Sequence, residues 1–250
     1  MKNIESSEKR KTFINVAGIG HGPEEYARSE THDRITTALV KDYPDSITIF
    51  IPSAIAQQDQ SGKLMATQMS PEWQAKELHT TIEKTLNEER ESIVIAHSSG
   101  SISTMRGIEE GWVPKAVFIS PTFLHPNEEI FHQNAFRRRM RPNDDGSWIM
   151  TPRSMPYEIE FLPGHLDDPM YGKLADGDNY ERIYTILNKK AKIFVGSRDW
   201  NTQASLYSQF FSNVTYEIEG ETHSFNVEMS SVEKIRVAIR ELLENSSVES

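Results

Sequence analysis

Six short apolar runs spaced along the chain constrain its fold more than any other feature of the sequence. They are Thr12 to Gly18 (TFINVAG), Ser46 to Pro52 (SITIFIP), Ser92 to Ala96 (SIVIA), Lys115 to Ser120 (KAVFIS), Ala191 to Val195 (AKIFV) and Asn213 to Glu219, where Val214, Tyr216 and Ile218 alternate. Segments of helical period lie between them. Pro23-Glu24-Glu25 and Ser70-Pro71-Glu72 carry helix-start chemistry, Leu78, Ile82 and Leu86 fall four apart, and Val232, Ile235, Ile239 and Leu242 share a helical face. Strands alternating with helices predict the α/β class, a mostly parallel sheet with helices on both faces. At 250 residues the chain suits one domain of that kind, residues 1–250.

Two segments interrupt the alternation. Gln57 to Ser70 reads as a polar loop. Pro121 to about Asn188 is longer than an ordinary crossover and reads as an inserted lid or cap between late strands, residues 121–188, with Phe131 to Arg141 and Glu181 to Leu187 as its helices.

The most informative stretch is Ala96-His97-Ser98-Ser99-Gly100, where a buried strand runs into a helix through small-X-Ser-X-Gly. A serine on so sharp a turn is strained, and the residues two before and two after it must be small for strand and helix to approach. Ala96 and Gly100 meet that need. The stretch resembles the nucleophile elbow of the α/β-hydrolases, in the variant with alanine at its first position. Alone, it also fits a polar loop in which a serine caps the helix. Two later turns weigh against that reading. Gly196-Ser197-Arg198-Asp199 resembles the family's Gly-X-X-Asp turn, and Gly220-Glu221-Thr222-His223-Ser224-Phe225 resembles its Gly-X-X-His-X-Phe loop. Both follow late strands, in the family's chain order of Ser, acid and His.

This resemblance spans about Thr12 to Leu243 and implies the α/β-hydrolase fold. It implies a serine hydrolase with Ser98 as nucleophile, His223 as general base and Asp199 as the acid that orients the base. It further implies an oxyanion hole built from the Ser99 N–H and the Ala17-Gly18-Ile19-Gly20 loop. Matching Ala17-Gly18 to the family's His-Gly dipeptide points to Ile19, with Gly20 as the alternative. Ser99 and Ser101 are weaker nucleophile candidates, because Ser99 lacks a small residue two before it and Ser101 lies inside the helix. The expected substrate is an ester or thioester of a small to medium acyl group, free or carrier-bound, cleaved through an acyl-enzyme. The same triad also serves amides and carbon–carbon bonds. A binding protein that kept the fold without catalysis is the rival from another class, disfavoured by the joint presence of all three residues.

Charge and composition narrow the partners. The 27 Lys and Arg stand against 37 Asp and Glu, and the resulting net charge of −10 repels a nucleic-acid backbone. With no cysteine, disulfides and thiolate metal sites are excluded, and no metal or cofactor is expected. Gly18-X-Gly20-X-Gly22 falls one residue short of a dinucleotide loop, and no acidic residue ends the strand at 46–52. Met1 to Lys11 is polar, and no run approaches the roughly 18 apolar residues of a spanning helix, so a cytoplasmic protein without a membrane anchor is expected. Arg137, Arg138, Arg139 and Arg141 read as a solvated helix face, with contact to an anionic substrate tail as the sharper alternative. His165, Asp167 and Asp168 lack zinc-type spacing and read as lid loop.

Overall fold

A computed structural model of the chain describes residues 10–21, 30–58, 64–123, 140–151, 157–164, 180–199, 202, 204–223, 225 and 229–244. The six apolar runs form β1 (Lys11–Val16), β2 (Ile47–Ile51), β5 (Glu91–His97), β6 (Ala116–Ile119), β10 (Ala191–Gly196) and β11 (Thr215–Ile218). They pair in parallel throughout, in the order β11-β10-β6-β5-β1-β2. Around them lie α1 (Glu30–Asp42), α2 (Pro71–Asn87), α3 (Gly100–Glu110), α4 (Tyr180–Lys190), α5 (Ala204–Phe210) and α6 (Met229–Glu244).

The strands are apolar at successive positions because both faces of the sheet are covered, as parallel sheets require. Phe13, Ile93, Ile95, Val117, Ile119 and Phe194 pack against α1 and α6. Their neighbours Ile14, Val94, Ala96, Phe118, Ile193 and Val195 pack against α2, α3, α4 and α5. Fully burying one such aliphatic or aromatic side chain is worth about 1.5–3 kcal/mol, so each helical layer is held by its apolar stripe.

Helix α2 starts where its cap chemistry predicts: Ser70 accepts the Trp73 N–H at 3.1 Å and Pro71 takes the first turn. Its apolar face departs from expectation at one position. Leu78 and Ile82 are buried, whereas Leu86 is 57 % exposed and Thr85 is buried instead. Steps of four residues advance about 400° around a helix, so a row of three drifts off the core face.

Chain order and space order diverge between β1 and β5. The chain runs from β1 outward to β2, then returns to the other side of β1 as β5, with Val16 opposite both Ile51 and Ala96. The carboxyl ends of β1 and β5 therefore border the crevice where the strand order reverses, the place where open α/β sheets bind ligands. Gly100 closes this junction. A Cβ there would lie 2.6 Å from both the Val16 and the Ala17 carbonyl oxygens. Those are backbone atoms at and just beyond the end of a central strand and cannot give way. Gly100→Ala should therefore destabilise the protein by about 3 kcal/mol, the upper range for overpacking, read as a lowered urea midpoint at unchanged slope. An unchanged midpoint would show that the elbow has room it is not expected to have.

A second sheet was not anticipated. β3 (Ala54–Gln58), β4 (Leu64–Gln68), β9 (Glu158–Phe161), β8 (Trp148–Met150) and β7 (Met140–Pro142) lie side by side in that order. The stretch read as a polar loop, Gln57 to Ser70, thus holds most of a hairpin whose strands pair Ala54 with Gln68 and Gln58 with Leu64. β4 joins the inserted strands through a parallel pairing with β9. The accessory layer therefore draws on two separate parts of the chain and not on 121–188 alone. Arg141, expected to end a helix, instead lies in β7, where it pairs with Glu158 at 3.1 Å. Pro142 fits there because β7 is an edge strand and needs no further N–H. Residues 131–139, which include Arg137, Arg138 and Arg139, and residues 165–168 lie outside the described residues.

Candidate active site

Ser98 sits directly beyond β5 with φ of 51°, a left-handed backbone that costs a non-glycine residue about 1–3 kcal/mol. The surroundings enforce it. Ser98 N–H bonds the Ile119 carbonyl at 3.0 Å, and Ser101 N–H bonds the Ser98 carbonyl at 3.1 Å. The turn aims the hydroxyl at the end of β11, where His223 Nε2 lies 2.8 Å from Ser98 Oγ. His223 Nδ1 in turn lies 3.0 and 3.1 Å from the two carboxylate oxygens of Asp199. A carboxylate only accepts, so Nδ1 must donate, and this leaves the Nε2 lone pair for the Ser98 O–H.

The acid is held as firmly as the serine. The Asp199 carboxylate is fully buried and accepts the Thr202 N–H at 3.0 Å, while its own N–H bonds the Gly196 carbonyl at 3.0 Å. Burial pushes its carboxyl up, but the hydrogen bond and charge of His223, helped by the Ser120 hydroxyl and the Thr202 N–H, hold it below the ordinary carboxylate value. The two turns are locked together: Arg198 N–H donates to the Glu221 carbonyl at 2.9 Å, and Gly196 is glycine because Glu221 backbone occupies the place of a side chain.

Sequence reasoning singled out Ser99 and Ser101 as weaker nucleophiles. Ser101 is committed elsewhere: its hydroxyl donates to the Ser98 carbonyl at 2.5 Å and accepts the Thr122 N–H at 3.0 Å. Ser99 is the cap residue of α3 but makes no side-chain cap bond. Among the described residues the Ser99 N–H has no partner, and neither has the Ile19 N–H. Gly20 differs. Its N–H, second to that of Ile19 in the sequence reading, donates to Gln68 Oε1 of the second sheet at 2.8 Å. The loop itself reaches the serine: a Cβ on Gly18 would lie 2.8 Å from Ser98 Cβ.

Behind the site lies a cluster of imidazoles that the motifs did not reveal. His97 Nε2 is 2.8 Å from the His223 carbonyl and must donate to it, so its Nδ1 carries the lone pair. The ring centroid of His32 is 6.0 Å from that of His97, and His21 is 6.4 Å from His97. Burial, with the positive charge of a protonated His21 adding to it, pushes His32 down to about 3, and burial likewise holds His97 well below its ordinary value. The sign for stability follows. The folded state keeps both rings neutral while the unfolded chain takes up protons below about 6.5, so stability is complete above that pH and declines as pH falls towards 3. His32 alone should remove about 2–3 kcal/mol between pH 7 and 4.5. Urea unfolding at the two pH values should show this loss, and His32→Leu should recover about that much of it. Equal pH sensitivity in both proteins would refute the assignment.

Among the described residues no group of three or more His, Asp and Glu could hold a metal ion, and no helix is long and apolar enough to cross a membrane. No protein-family model and no curated protein matches the sequence. Solved structures do match. A carboxylesterase of the thaumarchaeon Nitrososphaera gargenis superposes with a TM-score of 0.60 at 11 % identity, over 95 % of this chain and 93 % of that one. Est1E from Butyrivibrio proteoclasticus gives 0.58 at 12 %, over 95 % and 90 %. The Paleococcus ferrophilus monoacylglycerol lipase gives 0.51 at 16 %, over 93 % of each chain. The chain has the α/β-hydrolase fold, over nearly its whole length.

Proposed function

We propose that the protein is a serine hydrolase that cleaves an ester or thioester of a small to medium acyl group through an acyl-enzyme. The observation that carries this is the hydrogen-bonded line from Ser98 Oγ through His223 to the buried Asp199, set beside the switch-point crevice. The steps follow from it. His223 Nε2 takes the Ser98 proton as Oγ attacks the acyl carbonyl carbon, and Asp199 stabilises the imidazolium that results. The carbonyl oxygen becomes an oxyanion, met by the free N–H groups of Ser99 and Ile19. Collapse expels the alcohol or thiol, which receives the proton from His223. Water, deprotonated by the same imidazole, then releases the acid and restores Ser98. The second sheet, packed on the Ile19 side of the crevice, serves in this reading as the lid. The carboxylesterase and lipase among the superposed proteins favour oxygen esters among the bonds such a triad can cleave.

The test is stoichiometric labelling by a fluorophosphonate with mapping of the modified peptide, beside nitrophenyl esters and acyl-thioesters of graded chain length. One phosphonyl group on Ser98 and turnover of either panel are expected. A protein that is neither labelled nor active on any member would sink the reading.

A further inference from the structure

The loop from Ala17 to His21 is held largely by side chains of the second sheet and its approach, and these contacts flank the Ile19 N–H, which has no partner among the described residues. Three of them matter. Ser53, buried just before β3, donates its hydroxyl to the Gly18 carbonyl and accepts the His21 N–H at 3.2 Å. Gln68, buried at the end of β4, accepts the Gly20 N–H at 2.8 Å. Tyr157, buried just before β9, donates its hydroxyl to the Gly20 carbonyl at 2.6 Å. Gly20 itself has φ of 82°, a conformation that costs glycine nothing, within a turn closed by the His21 N–H on the Gly18 carbonyl at 3.3 Å.

Peptide geometry turns these contacts into an orientation. In a planar trans peptide the C=O and N–H point in opposite directions, so anchoring the Gly18 carbonyl on Ser53 sets the direction of the Ile19 N–H. Anchoring both polar groups of Gly20 fixes the following residue and stops that plane from rotating. The side-chain anchors on Gly18, Gly20 and His21 come from the 53–68 segment and from Tyr157, while Gln74 Nε2 holds the Ala17 carbonyl at 3.0 Å and the His21 N–H bonds the Gly18 carbonyl at 3.3 Å within the loop.

We propose that Ser53, Gln68 and Tyr157 are positioning residues for the oxyanion donor: the second sheet aims the Ile19 N–H at the reacting carbonyl oxygen, besides covering the crevice. This rests on the hydrolase reading above. An oxyanion donor stabilises the transition state more than bound substrate, so loosening it lowers kcat with little change in KM. A sulfur anion accepts hydrogen bonds poorly, so a thionoester gains less from the donor than the matching oxygen ester.

The test compares wild type with Tyr157→Phe, which removes one hydroxyl, and with Gln68→Met, which keeps length and loses the acceptor. Each is titrated with a fluorophosphonate to count working Ser98 sites, then assayed on an oxygen ester and its thiono analogue. For each variant kcat per titrated site should fall about 10- to 100-fold on the oxygen ester, below the full loss of a donor. KM should stay close to that of the wild type, and the oxygen-to-sulfur rate ratio should drop about 10-fold. Having two variants guards against one of them failing to fold. If wild type labels but the variants keep its rate per site, or lose both substrates in proportion, the positioning role is wrong and the hydrolase reading stands. If wild type does not label at all, both fall together.

Discussion

Ser98→Ala should abolish fluorophosphonate labelling and lower ester turnover by about 10⁵- to 10⁶-fold, because a triad's serine and base act as one unit. The structure gives reasons to expect a clean result. The substitution removes only Oγ, whose one hydrogen bond among the described residues runs to His223 at 2.8 Å. Losing such a bond costs about 1 kcal/mol, and the strained φ of 51° stays with either residue because it is imposed by the Ile119 and Ser101 bonds on either side. The variant should therefore melt within a few degrees of wild type, which separates lost chemistry from lost fold. Ser101 cannot take over. Ser101 spends its hydroxyl on the Ser98 carbonyl and the Thr122 N–H. Residual labelling of the alanine variant, mapped to another residue, would move the nucleophile elsewhere.

Asp199→Asn is the second large effect, a fall in kcat of about 10⁴-fold with the protein still folded. The amide keeps the volume of the carboxylate, and its oxygen can still accept the Thr202 N–H. Its NH₂ group then faces His223 Nδ1 and donates to it. That forces the proton onto Nε2, where it points at Ser98 Oγ and can no longer accept. The same substitution carries a stability signature of definite sign. The folded-state carboxyl lies below its ordinary value, so the ionised form stabilises the fold above that value, and this contribution disappears as pH falls through the lower one. The asparagine variant should lose less stability than wild type on acidification. A kcat reduced by less than about 10-fold would remove Asp199 from the orienting role.

How far the site was legible depended on distance along the chain. The elbow motif is local, since Ala96, Ser98 and Gly100 lie within five residues, although the steric demand for glycine at 100 comes from the distant Val16 and Ala17 carbonyls. The hairpin at 54–68 was hidden because its alternation is weak and its buried residues Ala54 and Ala66 are small, whereas Ile55 is exposed. Gln68 and Tyr157 sent no signal. A buried glutamine is indistinguishable from a solvated one until its partner, here Gly20 in another part of the chain, is known.

Sequence alone determined the parallel six-stranded sheet, through apolar runs whose two faces both need cover, and it placed a serine on a strained turn between small residues. Only the tertiary structure showed that the Gly20 N–H is occupied. That hydrogen bond joins residues 48 positions apart, and the partner sits in a sheet assembled from two distant segments. A side chain's partner across the fold depends on packing, and no local pattern encodes it.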